Sequence, residues 1–552
     1  MQRSGLDHVF LFLAVVITGL PGFAAQPGTR GAHPDKTTQV KNMDRDLMEV
    51  TVPGLEKLYA KHRYTVTEVT QWYLDRIARY DGTYRAILYL DKNGALQRAS
   101  EEDAEPQHAK HGSLWGVPIL VKANTSVKGW VTSAGWIGFL RPGEELVAPR
   151  DAVVVQRLRE AGAVLLAQTN MPDFAASDTN VSSAGGRTGD AYDVRFSPGG
   201  SSGGTAAAVA ANFAVLGTGT DTANSIRQPA ANNSLVGMLP TRGLTSIAGI
   251  EPLDWLRDNT GPLARDVTSA AIALYAMQAE DPLDPRTQGS AKKAEAGPYT
   301  QYLKKGALKG KRFGVPWFVL EGSPDVYRND PEPPPNGGAV SAETRAAFMK
   351  AVEQMRDAGA TVIIDKEILP ESFFARVRQV NTQPYRREGL DRFLQYFGPA
   401  QYHSVSEYER ATGNHFPAFM LGGDTPQKLI ETDSATLENY YGPQRAALAE
   451  YEATRKRWRL DGFVYPSLQV PTYDETVPGA YKWGPRSETA WVNRIGVPAI
   501  SVPGGFYADG LPFGLEISGV RWKDGDLLGY AYAYEQATHN RKLPKLVPRQ
   551  RP

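Results

Sequence analysis

Apolar residues recur at helical spacing in several segments of the chain, and short continuous apolar runs follow two of these segments. Thr65 and Glu68 have the spacing of a capping box, which marks the start of a helix. Apolar residues three or four positions apart then predict an amphipathic packing helix over 65–80, namely Val69, Tyr73, Ile77 and Tyr80.

Two segments share one order of helix, glycine and buried strand. Residues 151–170 place apolar positions on one helical face, then Gly162, then a continuous apolar run, and residues 341–366 repeat this order around Gly359. A fully apolar strand after a helix is typical of a sheet that is covered on both faces. The pattern therefore predicts an α/β fold.

The remaining segments extend this outline. The runs KRFGVPWFVL and DGFVYPS predict further strands, whereas the Pro- and Gly-rich stretch 329–338 excludes regular structure. Residues 376–450 are charged and aromatic with helical periodicity, which predicts a helical excursion over the sheet edge. The excursion either lines a substrate site or covers the sheet. Helix packing is the simpler interpretation of its aromatic residues, which include Tyr385, Phe393, Tyr396 and Phe397.

Residues 1–25 have the order of a secretory signal peptide. Arg3 precedes an apolar run over 9–20, and small residues follow around Ala24 and Ala25, where cleavage is expected. The run is too short for an ordinary membrane span, and an uncleaved anchor is the alternative. The polar, aperiodic residues 26–42 predict a flexible leader. We expect a secreted or periplasmic protein with no stable membrane insertion after signal removal.

Composition and charge narrow the choice of partners. The 552 residues carry 61 Lys and Arg against 60 Asp and Glu, so a small molecule is expected as the partner, and nucleic acid is not. The chain has no cysteine, which excludes disulfides and thiolate nucleophiles. Its eight histidines include no HExxH-like spacing, so no metal site is expected.

The stretch SPGGSSGGTAAAVAANFAVLGTGTDTANSIRQPA, residues 197–230, has several interpretations. A phosphate-binding loop would need a lysine before the threonine of GGSSGGT, and none is present. Residues 199–203 satisfy the GxSxG pattern of a nucleophile elbow centred on Ser201, which would need a downstream histidine: His403, His415 or His539. A plain structural turn before an alanine-rich helix is the third interpretation.

A lysine offers a different base. Lys122 ends the apolar, strand-like run in HGSLWGVPILVKANTSVKGW, residues 111–130. Burying an ammonium group is costly, so burial favours the neutral amine, which is a base. Lys122 can therefore take the part that histidine plays in other hydrolases. Ser225 lies in a second turn of small residues downstream.

Several separated blocks of the chain resemble the amidase signature family. GGSSGG followed by GTDTANSIRQPA is similar to the signature, and HGSLWGVPILVKAN is similar to the segment that holds the family's lysine. The blocks RDAVVVQRLREAGAVLLAQTNMPDFA, NRIGVPAISVPGGFYADGLPFGLEISG and LLGYAYAYEQATHNRKLP resemble later family segments. The resemblance implies one large catalytic domain over 43–552, with a mixed, twisted β-sheet covered by helices on both faces and with no metal or organic cofactor.

The resemblance also implies roles for individual residues. Ser225 becomes the nucleophile, Ser201 the bridging serine after a cis peptide bond, and Lys122 the base. Backbone N–H groups would stabilise the oxyanion; they belong to Thr222, Ala223, Asn224 and Ser225. Side chains near the triad would hold the turns by hydrogen bonds; they are Ser202, Thr220, Asp221 and Arg227, with Asp221 and Arg227 as a structural ion pair.

The chain departs from the family pattern at two places. Ala223-Asn224 replaces the common Gly-Gly before the nucleophile, and Ala123 follows the lysine where the family often has Asp. Alanine and asparagine still supply backbone donors, and asparagine tolerates left-handed dihedral angles. We therefore expect catalysis to be kept, with Asn224 projecting towards the site and changing the substrate shape that fits.

The expected function is that of an exported amidase that cleaves a carboxylic amide of a small molecule through an acyl-enzyme at Ser225. Ester or carbamate cleavage would use the same groups. One alternative is an amidotransferase subunit that passes ammonia to a glutamyl-tRNA, which the signal peptide and the absence of a basic face disfavour. The other is a non-catalytic binding protein on the same fold, motivated by Ala223-Asn224.

Overall fold

The computed structural model describes residues 36–105, 111–480 and 488–548. The chain divides into two units between Asp46 and Leu47, and helix α1 (Lys36–Leu47) makes up all of the described part of the first unit. The predicted signal peptide over 1–25 lies outside the described residues. The predicted leader over 26–42 overlaps α1 in its last seven residues, because its glycines and prolines end at Pro34 and leave a stretch that can be helical.

The second unit contains all the β-strands of the described residues. They are β1 (Ile87–Leu90), β2 (Val117–Lys122), β3 (Ala163–Thr169), β4 (Val181–Ser182), β5 (Gly186–Arg187), β6 (Leu216–Asp221), β7 (Val236–Leu239), β8 (Asn259–Ala264), β9 (Arg312–Val315), β10 (Thr361–Ile364), β11 (Gly462–Pro466), β12 (Ala499–Phe506) and β13 (Pro512–Ser518). Eleven of them form one sheet in the order β1-β3-β2-β6-β8-β7-β12-β13-β11-β9-β10, and β4 pairs with β5.

The sheet is mixed and buried. β2 lies between β3 and β6 and is parallel to both, whereas β6, β8, β7, β12 and β13 pair antiparallel in succession. Every residue of β2, β3, β6, β7, β8, β11 and β13 is buried, which requires cover on both faces. The predicted fold class, a mixed sheet between helices, is confirmed.

The cover is helical. Beyond α1, the α-helices of the described residues are α2 (Val52–Ala60), α3 (Val66–Tyr84), α4 (Lys92–Asp103), α5 (Val153–Glu160), α6 (Gly203–Ala210), α7 (Arg227–Asn232), α8 (Val267–Met277), α9 (Ser290–Lys293), α10 (Trp317–Glu321), α11 (Ala342–Asp357), α12 (Glu371–Arg378), α13 (Arg386–Phe397), α14 (Val405–Thr412), α15 (Gly442–Trp458), α16 (Ala490–Ile495) and α17 (Asp524–Thr538). No helix in the described ranges has the length and apolar character that crossing a membrane requires.

The helix predicted over 65–80 is α3, and its capping box is present. Thr65 Oγ1 accepts from the Glu68 N–H at 3.0 Å, and Glu68 Oε2 accepts from the Thr65 N–H at 2.9 Å. The helix continues to Tyr84, four residues beyond the predicted end, where Arg85 adopts a left-handed cap with φ of 53°.

Both predicted helix–glycine–strand units are confirmed. The first is α5 and β3, joined through Gly162, which has φ of 86°; the second is α11 and β10, joined through Gly359, which has φ of 96°. DGFVYPS contains β11 as predicted. KRFGVPWFVL is a strand only as far as Val315, because Pro316 has no N–H for the ladder and α10 follows it.

Residues 376–450 contain helices and no strand, as predicted. Helices α13 and α14 pack on residues from the segments that follow β2 and β3, including Phe139 and Phe174. Helices α12 and α15 pack on Phe463 of β11 and on Trp491. The excursion therefore covers the loops that leave the carboxyl ends of β2 and β3, besides the far part of the sheet. Three of its four aromatic residues named above are buried, and Tyr396 is 40% exposed.

Candidate active site

Lys122 lies at the carboxyl end of the buried strand β2. Its side chain is fully buried, and Nζ donates to Ser201 Oγ at 2.7 Å and to Thr220 Oγ1 at 2.8 Å. Thr220 belongs to β6, which is parallel to β2, so both residues lie at the same edge of the sheet. Parallel pairing of β2 and β6 thus brings the amine to two hydroxyl groups.

The environment of Lys122 favours its neutral form. Burial lowers the pKa of this amine from 10.5 to about 7, while the carboxylates of Asp258, Asp221 and Glu251 act in the opposite direction. Near neutral pH, Lys122 is therefore uncharged in a substantial fraction of the molecules, and in that form the amine can accept a proton. Nζ is hydrogen-bonded to the hydroxyl of Ser201, so a neutral amine lies within reach of that hydroxyl proton.

Ser201 is held in the glycine-rich turn that precedes α6. The peptide bond between Gly200 and Ser201 is cis, as the family resemblance implied. Gly199 has φ of 78°, which favours glycine, and a Cβ on Gly200 would lie 2.4 Å from the backbone oxygen of Thr179. Glycine is required at these two positions because of backbone conformation and close approach, and the hydroxyl of Ser201 is thereby brought to Lys122.

Ser225 lies in the turn between β6 and α7. The Ser202 N–H donates to the Ser225 carbonyl oxygen at 3.2 Å, and Ser202 Oγ donates to the Thr220 carbonyl oxygen at 3.2 Å, so the two serine-bearing turns are tied together. Ser225 is 5% exposed, and its hydroxyl makes no hydrogen bond to the described residues. The structure thus joins Lys122 and Ser201 directly and places Ser225 in the adjoining turn.

The turn from Thr222 to Ser225 presents unused backbone donors. Within the described ranges, none of its four N–H groups donates a hydrogen bond. Arg227 Nη2 donates to the Ala223 carbonyl oxygen, and the Gln228 N–H donates to the Asn224 carbonyl oxygen at 2.8 Å. Because C=O and N–H point in opposite directions across a trans peptide, these bonds aim the Asn224 and Ser225 N–H groups away from Arg227 and α7.

The Ala223-Asn224 departure is accommodated without left-handed dihedral angles, since neither residue has a positive φ. Alanine is therefore unstrained at this position. The Asn224 side chain is buried, with Nδ2 donating to Gln228 Oε1 at 3.1 Å, and Oδ1 has no hydrogen-bond partner among the described residues. Asn224 Oδ1 is enclosed by protein atoms, and Nδ2 is held by a residue of α7.

Arg227 anchors this turn through buried charge. It pairs with Asp221 at 3.1 Å and with Glu516 of β13, and all three side chains are fully buried. The Asp221 carboxylate also accepts from the Ile226 N–H at 3.1 Å. Burial raises the pKa of Glu516 to about 7, against the lowering effect of Arg227. Asp221 and Arg227 form the ion pair expected from sequence, and Glu516 adds a second carboxylate that sequence reasoning missed.

Removing Arg227 should destabilise the fold strongly. Arg227→Met leaves buried carboxylates without a countercharge, so we expect the free energy of unfolding to fall by about 3–5 kcal/mol in urea denaturation. Arg376→Met, which breaks the part-exposed pair of Arg376 with Glu450 at 2.7 Å, should cost less than about 1 kcal/mol. Equal effects of the two substitutions would contradict the anchoring role.

The nucleophile-elbow alternative requires a histidine that is hydrogen-bonded to Ser201. His403, His415 and His539 are exposed, and none makes a hydrogen bond to Ser201 among the described residues. The histidine-dependent alternative therefore finds no base.

Sequence reasoning missed Asn124, Glu251 and Asp258 near Lys122. Asn124 Nδ2 donates to Thr220 Oγ1 at 3.3 Å and to the Glu251 carbonyl oxygen at 3.2 Å. Within the described ranges, no group of three or more His, Cys, Asp or Glu side chains could hold a metal ion.

Fold and site together define a hydrolase built on a mixed α/β fold. The chain belongs to the amidase family, whose model, described as Amidase, matches residues 68–528. It is therefore an amidohydrolase of the amidase signature type.

Individual relatives are similar over nearly their whole length. The glutamyl-tRNA(Gln) amidotransferase subunit of Thermoanaerobacter pseudethanolicus is 29% identical over 521 residues, covering 91% of this chain and 99% of the relative. The structure of a peptide amidase from Stenotrophomonas maltophilia superposes with a TM-score of 0.75 at 31% identity, covering 90% of this chain and 99% of that one. An amidase family protein from Bacillus anthracis gives 0.74 at 26% identity, covering 94% and 96%.

Proposed function

We propose that this protein hydrolyses a carboxylic amide through an acyl-enzyme on Ser225, with Ser201 relaying the proton to neutral Lys122. The observation that carries the proposal is the 2.7 Å contact between a fully buried amine and the hydroxyl of Ser201. The lowered pKa of Lys122, about 7, supports the amine as the base. The family match and the similarity to a peptide amidase support an amide as the substrate.

The proton moves in two directions during the cycle. As Ser225 Oγ attacks the carbonyl carbon, its proton passes to Ser201 Oγ while the Ser201 proton passes to Lys122 Nζ. Collapse of the tetrahedral intermediate breaks the C–N bond, and the same path returns the proton to the leaving amine. Water then attacks the acyl-enzyme with the path running as before, which releases the carboxylic acid and restores Ser225.

The oxyanion is received by the backbone of the turn before the nucleophile. The unused N–H groups of Asn224 and Ser225 are donors whose directions are already set, so little reorganisation is needed when charge develops. Backbone donors also explain why Ala223 and Asn224 can replace the usual glycines. Because their φ angles are not positive, the substitution does not by itself distort the turn.

A screen of amide classes tests the proposal. Purified protein is given short-chain, aryl, fatty and peptide C-terminal amides, with matched esters and carbamates, and Ser225→Ala serves as the blank. We expect release of ammonia or amine from at least one amide and a covalent acyl mass on the peptide that contains Ser225. No turnover, together with no labelling of Ser225 by a fluorophosphonate, would favour the non-catalytic binding protein.

The value of kcat/KM should increase with pH as Lys122 becomes neutral. Because Lys122 must be uncharged to accept a proton, kcat/KM should be low in acid and increase as pH rises through about 7. Glu516 has a similar pKa, about 7, so Glu516→Gln is the matched control, and its kcat/KM should rise over the same pH range. If kcat/KM does not change with pH, or if its rise with pH disappears in Glu516→Gln, Lys122 is not the titrating base.

A second candidate function comes from the relatives that are glutamyl-tRNA(Gln) amidotransferase subunits. In that case the same acyl chemistry would act with partner subunits and release ammonia for transfer. Affinity purification from the native host separates the two functions: stoichiometric co-purification of other subunits would favour the amidotransferase, and isolation of this chain alone with amidase activity would favour the hydrolase.

The proposed function includes export of the protein from the cytoplasm. The order of Arg3, an apolar run and small residues at Ala24 and Ala25 supports a cleaved signal and a secreted or periplasmic location. N-terminal sequencing of protein from cell fractions tests this. A mature N-terminus close to residue 25 outside the cytoplasm is expected, and an intact Met1 in the cytoplasmic fraction would overturn it.

A further inference from the structure

We propose that Asp258 is a positioning residue for the oxyanion-binding turn, acting through the hydroxyl of Thr222. This inference rests on the proposed function, because it concerns the same turn before Ser225. Asp258 lies immediately before β8 and outside the signature stretch.

The contact between Thr222 and Asp258 is buried. Thr222 Oγ1 donates to Asp258 Oδ1 at 2.5 Å, and the two side chains are 5% and 2% exposed. A hydroxyl that donates to a carboxylate forms a charge-assisted bond, which is shorter and stronger than a bond between neutral groups. Because both residues are buried, a hydroxyl or carboxylate left without its partner here is costly.

The carboxylate of Asp258 is itself fixed. Its Oδ2 accepts from the Asp254 N–H at 3.1 Å, and its own N–H donates to the Asp254 carbonyl oxygen at 2.8 Å. Arg286 Nη1 donates to the Asp258 carbonyl oxygen at 2.8 Å. Since all these partners belong to residues outside the turn, Asp258 is a fixed point against which Thr222 is held.

The position of the contact explains why a side-chain bond is needed there. β6 and β8 pair up to Asp221 and Asn259, and the regular ladder ends with that pair. Thr222 and Asp258 are the next residues beyond it, so their side chains continue the connection where backbone pairing stops. On the next residue of the turn, Arg227 holds the Ala223 carbonyl oxygen. Two adjacent residues are thus anchored from two directions.

This double anchoring fixes the peptide planes that carry the unused N–H groups. An oxyanion donor acts only if it points at the developing charge, and a small displacement of such a group lowers the rate substantially. Free rotation of Thr222 would release the start of the turn, while Arg227 would still hold its centre. Loss of the Thr222–Asp258 bond should therefore slow the chemical step without abolishing binding.

The charge of Asp258 gives a second measurement, which is the pH dependence of the reaction at Ser225. The pKa of Asp258 is raised to about 6, by burial first and then by Asp254, with Thr222 and Arg286 acting against this. Its carboxylate in turn raises the pKa of Lys122, as do Asp221 and Glu251. Removing the charge of Asp258 should therefore move the rise of the inactivation rate to lower pH, which a loss of stability alone would not do.

The test uses a fluorophosphonate, which reacts with a serine nucleophile by forming an O–P bond and releasing fluoride, and which places a phosphoryl oxygen where the oxyanion would lie. We expect Thr222→Val to lower the maximal inactivation rate about 10- to 100-fold with the half-saturating concentration changed less than about threefold. Thr222→Ser, which keeps the hydroxyl, should lie within about threefold of the wild type.

The second arm uses the partner residue. Asp258→Asn removes the charge and leaves one acceptor oxygen, which would face the Asp254 N–H, and one NH2 group, which can donate to the Thr222 hydroxyl. It should therefore slow inactivation less than Thr222→Val and shift the rise of the inactivation rate to lower pH. In the double variant the effect of Thr222→Val should shrink, because its partner is already weakened. Thr245→Val is the matched control: it also removes a buried hydroxyl bond, from Thr245 Oγ1 to the Thr260 carbonyl oxygen at 2.8 Å, and should leave the inactivation rate unchanged.

The outcomes separate the two proposals. If the wild type is not labelled at Ser225, the proposed function fails. If the wild type is labelled and Thr222→Val reacts at the wild-type rate, or if the two substitutions are additive and the rise of the inactivation rate stays at the same pH, the positioning role of Asp258 is overturned while the proposed function stands.

Discussion

Lys122→Met should lower kcat by at least about 10³-fold, because it removes the group that accepts the proton in the proposed serine relay. Methionine has nearly the shape of lysine and suits a fully buried position, so the substitution isolates the loss of the amine. Ser201 would lose the donor at 2.7 Å and Thr220 the donor at 2.8 Å. The measurement is kcat on any amide found to be a substrate.

Lys122→Met should lose activity without losing thermal stability. The pKa of Lys122 is about 7 in the folded protein and 10.5 when solvated, so between these values the unfolded chain binds more protons and stability rises with pH. The amine therefore destabilises the fold most at pH 7 and below. We expect Lys122→Met to have a Tm at pH 6 that is no lower than that of the wild type.

The matched control is Lys311→Met, which replaces a part-exposed lysine paired with Asp461 at 3.0 Å. It should keep wild-type kcat and lose a small amount of stability. Wild-type rates in Lys122→Met would exclude the amine as the base. Loss of activity together with a large fall in Tm would assign it a structural role instead.

Local patterns in the sequence were sufficient to predict many of the helices and strands and to point to much of the candidate site. The two helix–glycine–strand units were predictable because each is encoded within about 20 residues, and Gly162 and Gly359 mark the points where the chain turns into the sheet. Lys122 was predictable because a charged residue at the end of an apolar run stands out against its neighbours. The order of the strands was not, since β2 and β6, or β13 and β11, are brought together by long-range pairing.

The supporting acids show why part of the site was missed. Glu516 is 289 residues from Arg227, and Asp258 is 36 residues from Thr222, so no local period connects either pair. Buried acids are unusual, and Asp258 and Glu251 look like surface residues in a sequence with 60 acidic side chains. Burial, and with it the effect of these acids on Lys122, becomes visible only when β6 and β8 are placed side by side.

The two serines should differ in a way that identifies the nucleophile. Ser225→Ala should lower kcat by about 10⁵-fold or more and abolish fluorophosphonate labelling, because no hydroxyl is left to form the covalent bond. Ser201→Ala should also lower kcat by at least about 10²-fold, since Lys122 then keeps only Thr220 among its two hydroxyl partners and the relay is interrupted. Slow labelling of Ser225 should persist in this variant.

Ser501→Ala is the matched control for these two substitutions, because Ser501 is equally buried and shares a hydroxyl contact of 3.0 Å with Ser467. It should retain wild-type kcat. Labelling of the peptide that contains Ser201 instead of Ser225 would reverse the assignment of nucleophile and relay. Full activity in Ser201→Ala, with Ser225→Ala inactive, would mean that Lys122 reaches the nucleophile without an intervening hydroxyl, and the 2.7 Å contact would then serve only to position the amine.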